Sequence, residues 1–223
     1  MPLKHPIIIW LRQDQRLSDH PALAAAEASK RKVIPCYVLD TRDTRPWRPG
    51  GASRWWPYHS LSEIGQRIRE QGGDLLLKHG DPVSIITELA LEVGASAVYW
   101  SRAVEPHCRR DETALASALE AHGIGSEGFA GNLLFAPEMI RNRSGAPFRV
   151  FTPFWKHCLA NGSKMRAPTG PVSPEFSTDL PDGDVLDDWG LLPTHSNWAA
   201  GLKETWQPGE AAGQALLHKF VEK

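Results

Sequence analysis

Cysteine is scarce. The three residues, Cys36, Cys108 and Cys158, are odd in number and far apart. That argues against a disulfide framework and points to a reducing cytoplasm. Long hydrophobic runs are missing as well. The N-terminal apolar stretch at 7–11 is far too short to span a bilayer, and no small-residue cleavage site follows it, so neither a membrane anchor nor a secretory leader is expected. Neither sign of charge is in excess: 25 Lys and Arg stand against 26 Asp and Glu, a formal net charge of -1. A generally basic nucleic-acid-binding surface is thereby disfavoured, although a local basic patch is not. No G-x-x-x-x-G-K-[ST], no G-x-S-x-G and no internal repeat occurs. The histidines show neither H-x-x-x-H nor H-E-x-x-H spacing. His107-Cys108 and His157-Cys158 are adjacent pairs that do not face each other on a helix, so no metal is expected. The run GIGSEG at 123–128 matches G-x-G-x-x-G in letters only. It follows a helix and enters a strand, the reverse of the dinucleotide fingerprint, and reads as a helix stop and turn.

What is present is an alternation of strand and helix signals in 223 residues that are 41% hydrophobic and 23% charged, as in ordinary globular proteins. The continuous apolar run at 7–11 is a strand buried on both faces, the mark of a parallel sheet. Pro21 opens a helix over 22–30, and 33–39 is a second strand, with Pro35 suggesting a bulge or a strand start. Ser53 is the expected cap of a helix reaching about Gln71, which places Pro57 in its first turn. A third strand at 75–78 leads into a helix capped by Asp81, with its buried stripe on Ile85, Ile86, Leu89 and Val93. A fourth strand at 97–100, a helix at 106–122 and a fifth strand at 125–129 complete the series. The fold class is α/β, a doubly wound, Rossmann-like parallel sheet of five strands. Beyond Gly131 the pattern changes. A hairpin is expected from 139–141 and 148–150 about a turn at 142–145, then a short helix at 152–159. From 161 to 205 the Pro-, Asp-, Gly- and Ser-rich chain reads as a surface-draped linker, followed by a helix over 211–221.

In an open parallel sheet, ligands bind beyond the carboxyl ends of the strands. Three polar clusters fall there: Arg12, Asp14 and Arg16 after strand one, Asp40, Thr41 and Arg42 after strand two, and Ser101, Arg102 and Glu105 after strand four. They read either as the lip of a cleft for a charged small molecule or as ion pairs that pin the loops, the latter chiefly for Asp14 and Arg16. The loop from Trp47 to Trp56 adds two glycines that permit close approach, Arg54 at a helix start, and tryptophans able to stack on a planar ring or simply to pack.

The run WLRQDQRLSDHPAL at 10–23 resembles the W-F-R-x-D-L-R-x-x-D-N-x-A-L opening of the DNA photolyase/cryptochrome family, with Leu11, Gln15 and His20 as departures. The resemblance continues through 50–56, 99–106, the run RVFTPFW at 149–155 and the W-x-P-G-E-x-A pattern at 206–212. It implies an antenna-type α/β domain over 1–131, an interdomain stretch over 132–205, and over 206–223 the first helix of an FAD-binding helical domain that follows where this chain stops. The family's FAD, its damaged-DNA partner and its light-driven cleavage of cyclobutane pyrimidine dimers belong mostly to that helical half, so this chain alone is expected to be inactive. The resemblance makes Arg12, Asp14, Arg54, Arg102 and Glu105 the candidates for an antenna chromophore. His107-Cys108 stands where folate-antenna members carry Asn-Glu, which favours a deazaflavin or flavin over folate. The rival readings are a non-catalytic chromophore- or nucleotide-binding module and a cryptochrome-like photoreceptor fragment.

Overall fold

A computed structural model describes residues 5–42 and 49–222. Five strands, β1 (Ile7–Leu11), β2 (Val33–Asp40), β3 (Leu76–Gly80), β4 (Ala97–Ser101) and β5 (Gly125–Phe129), form one parallel sheet in the order β3-β2-β1-β4-β5. The chain steps outward from β1 to β3, then crosses to the other side of β1, so the strand order reverses between β1 and β4. Helices α1 (Pro21–Ala28), α2 (Gly51–Glu70), α3 (Pro82–Glu92) and α4 (Pro106–Ala121) link the strands. The central strand explains its own composition. Ile7, Ile9 and Leu11 pack with Leu23 of α1 and with Leu61, Ile64 and Ile68 of α2. Ile8 and Trp10 face the opposite layer, with Ile86 and Leu89 of α3 and Leu115 and Leu119 of α4. A strand with no solvent face needs no polar alternation. Each such buried side chain contributes about 1.5–3 kcal/mol of transfer free energy before the cost of ordering it. No helix among the described residues is long and apolar enough to cross a membrane.

Pro35 is neither a bulge nor a strand start. It sits inside β2, opposite Ile9. The Lys32 carbonyl faces β1, where Ile7 N donates to it, whereas Val33 faces away, donating to Glu175 O at 2.8 Å and accepting from Ser177 N at 2.8 Å. Pro35 shares the outward side with Val33, and pairing to β3 begins only at Cys36. Its missing N–H therefore falls in a gap between two partners and forfeits no ladder bond.

The helix starts follow from side-chain chemistry. Asp81 accepts from Val83 N at 3.1 Å, as its position before Pro82 predicts, and His20 caps α1 through Leu23 N. Ser53 does not cap α2. The helix begins at Gly51 with Gly50 as the cap, which places Pro57 inside it rather than in the first turn. The proline leaves the Ser53 carbonyl without its helical donor, and Ser53 is exposed.

The expected hairpin after β5 does not form. The segment holds a short 3-10 helix at Pro137–Met139 and a turn closed by the Asn142 side chain, which accepts from Ser144 N at 2.9 Å and Ala146 N at 3.0 Å. With those amides satisfied locally, neither flank needs a partner strand. Helix α5 (Phe151–Ala160) follows. The 161–205 stretch does lie over a surface, yet it is anchored. Phe176 is 4% exposed and bridges to Val33, and Arg166 forms a two-pronged pair with Asp19 at 2.6 and 2.7 Å. It also contains a 3-10 turn at Leu186–Trp189 and a short helix α6 (Ala200–Thr205) without a period long enough to read. Helix α7 (Glu210–Val221) ends the described chain.

Candidate functional site

Where the strand order reverses, the carboxyl ends of β1, β2 and β4 and the first turns of α2 and α4 enclose a cleft of about 1010 Å³, with Trp10, Arg12, Asp40, Arg54, Trp56, Arg102 and Glu105 in its lining. Arg12 lies along the floor. Its Nη2 donates to the Ser101 carbonyl and to Glu112 Oε1 at 2.6 Å, and its guanidinium sits 4.5 Å above the Trp10 ring. Arg12 Nη1 and Trp10 Nε1 are buried and find no hydrogen-bond partner among the described residues. Buried donors in that condition each cost about 1–3 kcal/mol, so something that accepts from them is worth having.

Asp14 lies beneath the lip, essentially fully buried. Its Oδ1 accepts from Arg12 N at 2.8 Å and its Oδ2 is 2.9 Å from His20 Nε2. Burial pushes the Asp14 carboxyl up, but His20, Ser101 and the Arg12 amide together outweigh it and hold it at about 2. Arg16 reaches across to Asn132 Oδ1 at 2.7 Å and the Gly131 carbonyl at 3.0 Å, and also bonds the Asp19 carbonyl. These contacts brace the loop.

Arg54, in the first turn of α2, and Arg102, just past β4, are exposed at the rim. Arg102 lies across Gly128 of β5, where an added Cβ would come within 2.9 Å of Arg102 Cγ and of Trp100 Nε1. Glu105 precedes α4. Its carboxyl is held below the ordinary range by its own backbone N–H, by Gln13 and by Val104 N. Trp47 and Arg48 fall outside the described residues. Trp55 is core, 3% exposed, whereas Trp56 lines the cleft and meets Trp206 edge-on at 6.1 Å between ring centroids.

Three acidic partners escape a linear reading. Arg42 pairs in two-pronged fashion with Asp40 and with Asp111, at 2.7–3.0 Å, and both carboxylates raise its affinity for its proton. Asp111 and Glu112 stand side by side in α4, and each holds an arginine from a different strand end. From sequence they look like helix surface. Only the approach of the start of α4 to the carboxyl ends of β1 and β2 tells otherwise. Glu210 is the third: its carboxylate, 4% exposed, accepts from Leu17 N at 2.8 Å and Ser18 N at 2.9 Å.

A second hollow, of about 850 Å³, lies away from the cleft. It is lined by Arg141, Arg143, Lys156, His157 and Phe148 and forms a local basic surface.

An open parallel sheet with a polar cleft at its switch point defines an α/β unit of the doubly wound class, in which such clefts are where ligands bind. The family model for DNA photolyase matches residues 7–175, and the chain belongs to that family. It is 36% identical to a deoxyribodipyrimidine photo-lyase of Agrobacterium fabrum over 97% of this chain and 45% of that protein. It is 32% identical to cryptochrome-2 of Arabidopsis thaliana over all of this chain and 37% of that one. The crystal structure of a bacterial class III photolyase from Agrobacterium tumefaciens superposes with a TM-score of 0.88 at 36% identity, over 98% of this chain and 45% of its own. The chain spans less than half the length of these relatives.

Proposed function

We propose that residues 1–131 are the chromophore-binding unit of a photolyase-type flavoprotein, that 132–205 are its interdomain connection, and that 206–223 lead into its FAD-binding helical part. Light-driven repair of cyclobutane pyrimidine dimers by reduced FAD belongs to a protein carrying both halves, and the residues described here assign none of the FAD site. The observation that carries the reading is the cleft at the strand-order reversal, with two buried donors, Trp10 Nε1 and Arg12 Nη1, left unpaired in its lining. A deazaflavin or flavin ring suits that donor set, because its carbonyl and ring-nitrogen acceptors would pair with both once these floor side chains turn toward it. Arg54 and Arg102 at the rim would meet an anionic tail, and Trp56 offers a stacking face. Asp14 and Glu105 would act from behind, Asp14 by fixing the Arg12 backbone and Glu105 by holding Gln13. Bound there, the chromophore would absorb near-UV or blue light and pass the excitation onward. The basic hollow about Arg141, Arg143 and Lys156 suits a phosphate backbone, in keeping with damaged DNA as the partner of the complete protein.

A cryptochrome-like photoreceptor is the second reading, favoured by the 32% identity to cryptochrome-2. Both readings share the cleft. The test is direct: purify residues 1–223, record the absorption spectrum, and titrate with riboflavin, FMN, 8-hydroxy-5-deazaflavin and methenyltetrahydrofolate. Saturable binding of a flavin or deazaflavin, weakened about tenfold or more by R54A/R102A, is the expected result. A protein that binds none of the four at millimolar concentration would overturn the chromophore reading.

A further inference from the structure

Helix α7 is attached to the α/β unit almost entirely through its first turn. Of its residues only Glu210 and Ala212 are partly buried. The distal turns expose Leu216, Leu217, Phe220 and Val221 at 56–79%. What holds the helix is one carboxylate. Both Glu210 oxygens accept from the backbone of the loop after β1, at Leu17 and Ser18, and the Ser18 hydroxyl and the Arg67 guanidinium of α2 complete the shell. One turn on, Gln214 donates to Ser18 Oγ at 2.7 Å and to Glu210 Oε1 at 3.1 Å. Gly209, at φ +113, allows the approach, since an added Cβ there would come within 3.0 Å of Glu63. A carboxylate at a helix start ordinarily serves its own helix. This one is spent on a loop nearly two hundred residues earlier in the chain, and that loop is the lip of the cleft, carrying Arg12 and Asp14.

We propose that Glu210 is a positioning residue that couples the cleft lip at 12–19 to the direction in which α7 leaves the α/β unit. The same carboxylate sets both, so neither can rearrange alone. Any ligand that orders the lip then tightens α7, and by linkage a docked α7 raises the affinity of the cleft by the same factor. The ligand half of this rests on the chromophore reading, whereas the mechanical half does not.

Hydrogen exchange read by mass spectrometry on the whole chain separates the two. E210Q keeps the shape of the side chain and removes its charge. Exchange should rise at least tenfold in 12–20 and in 206–221 together, with β1, β4 and α1 as protected as before. L216A, on the exposed face of α7, is the control and should leave 12–20 unchanged. Release of α7 in E210Q with no change in 12–20, or no change in either, overturns the coupling. Should E210Q lose protection across the sheet, S18A decides: it removes only the hydroxyl contacts and should loosen both segments by a smaller, matched amount. In the ligand arm riboflavin is the probe. If it binds, exchange in 206–221 of the unmodified protein should fall at least twofold, and binding without that change overturns the coupling. If riboflavin does not bind, E210Q alone judges the latch, and the chromophore reading is judged by the four-ligand titration.

Discussion

Replacing His20 with alanine tests the buried pair beneath the cleft. His20 Nδ1 accepts from Leu23 N at 3.3 Å, so that nitrogen carries no proton and Nε2 carries the hydrogen that faces Asp14 Oδ2 at 2.9 Å. The substitution removes a helix cap, worth about 1 kcal/mol. It also removes the imidazole held 2.9 Å from the buried Asp14 carboxylate, a polar contact to a charged group worth about 1.5–3 kcal/mol. The sum is about 3 kcal/mol, which for a chain of this size lowers the melting temperature by about 6–12 °C. H20N separates the parts, because asparagine restores the cap but does not reach Asp14. It should recover about 1 kcal/mol. Acid titration supplies an independent check. The Asp14 carboxyl is held at about 2 against an ordinary 3.8. A carboxyl depressed in the folded state stabilises it fully above its unfolded value, and that contribution disappears as pH falls through the folded one. Here the window runs from about pH 4 to pH 2 and the loss is about 2 kcal/mol. In H20A the carboxyl titrates higher, the gap to its unfolded value narrows, and the loss of stability between about pH 4 and pH 2 shrinks. Urea and thermal melts from pH 7 to pH 2 measure both effects. A loss under about 1 kcal/mol in H20A, with an acid profile like that of the unmodified protein, would refute the assignment of His20 as partner and cap.

The alanine of G73A would overlap Phe176 Cβ and Cγ, so it should dislodge the 170–178 segment, cost about 1–3 kcal/mol and speed proteolysis there, readable by limited thermolysin digestion. G128A should shift Arg102 and weaken flavin or deazaflavin binding at least threefold while melting within about 2 kcal/mol of the unmodified protein; unchanged affinity would remove Arg102 from the rim. Burial pushes the Cys36 thiol up to about 12, so iodoacetamide at pH 8 should leave Cys36 unlabelled in the folded protein and label it in urea, as peptide mass spectrometry would report.

The scaffold was legible because its signals are local. The run at 7–11 could only be a doubly buried strand, and Asp81 before Pro82 could hardly be anything but a cap. Pro35 misled because its tolerance depends on where β3 begins, which no window around residue 35 contains. Ser53 and Pro57 misled by a shift of three residues in the helix start, since Gly50 caps α2 with its backbone alone and leaves no side-chain signature. The hairpin reading took turn chemistry at Asn142 for strand pairing. For the cleft, the strand-end arginines were readable from topology, because parallel sheets gather their carboxyl ends. Asp111, Glu112 and Glu210 were not, because their partners lie from about seventy to nearly two hundred residues away and their own surroundings look like solvated helix. Nor was the depth of Asp14 legible: it lies against His20, a residue that departs from the family pattern, at 2.9 Å, and His20 also supplies the cap of α1.

The short bridge between Val33 and Phe176 has a consequence for solubility. β2 extends beyond the start of β3, so its first residues would present open hydrogen-bonding groups, the kind of bare strand edge that recruits other chains. Glu175 and Ser177 occupy Val33 on that side, and Pro35 has no donor to offer. The linker thus works as a selvedge, finishing the hem of the sheet with the chain's own backbone. A version of this protein ending before residue 170 would keep every strand and lose the hem. It should be the form that associates with itself through β2, and replacing Val33 with lysine should not be needed so long as the linker stays in place.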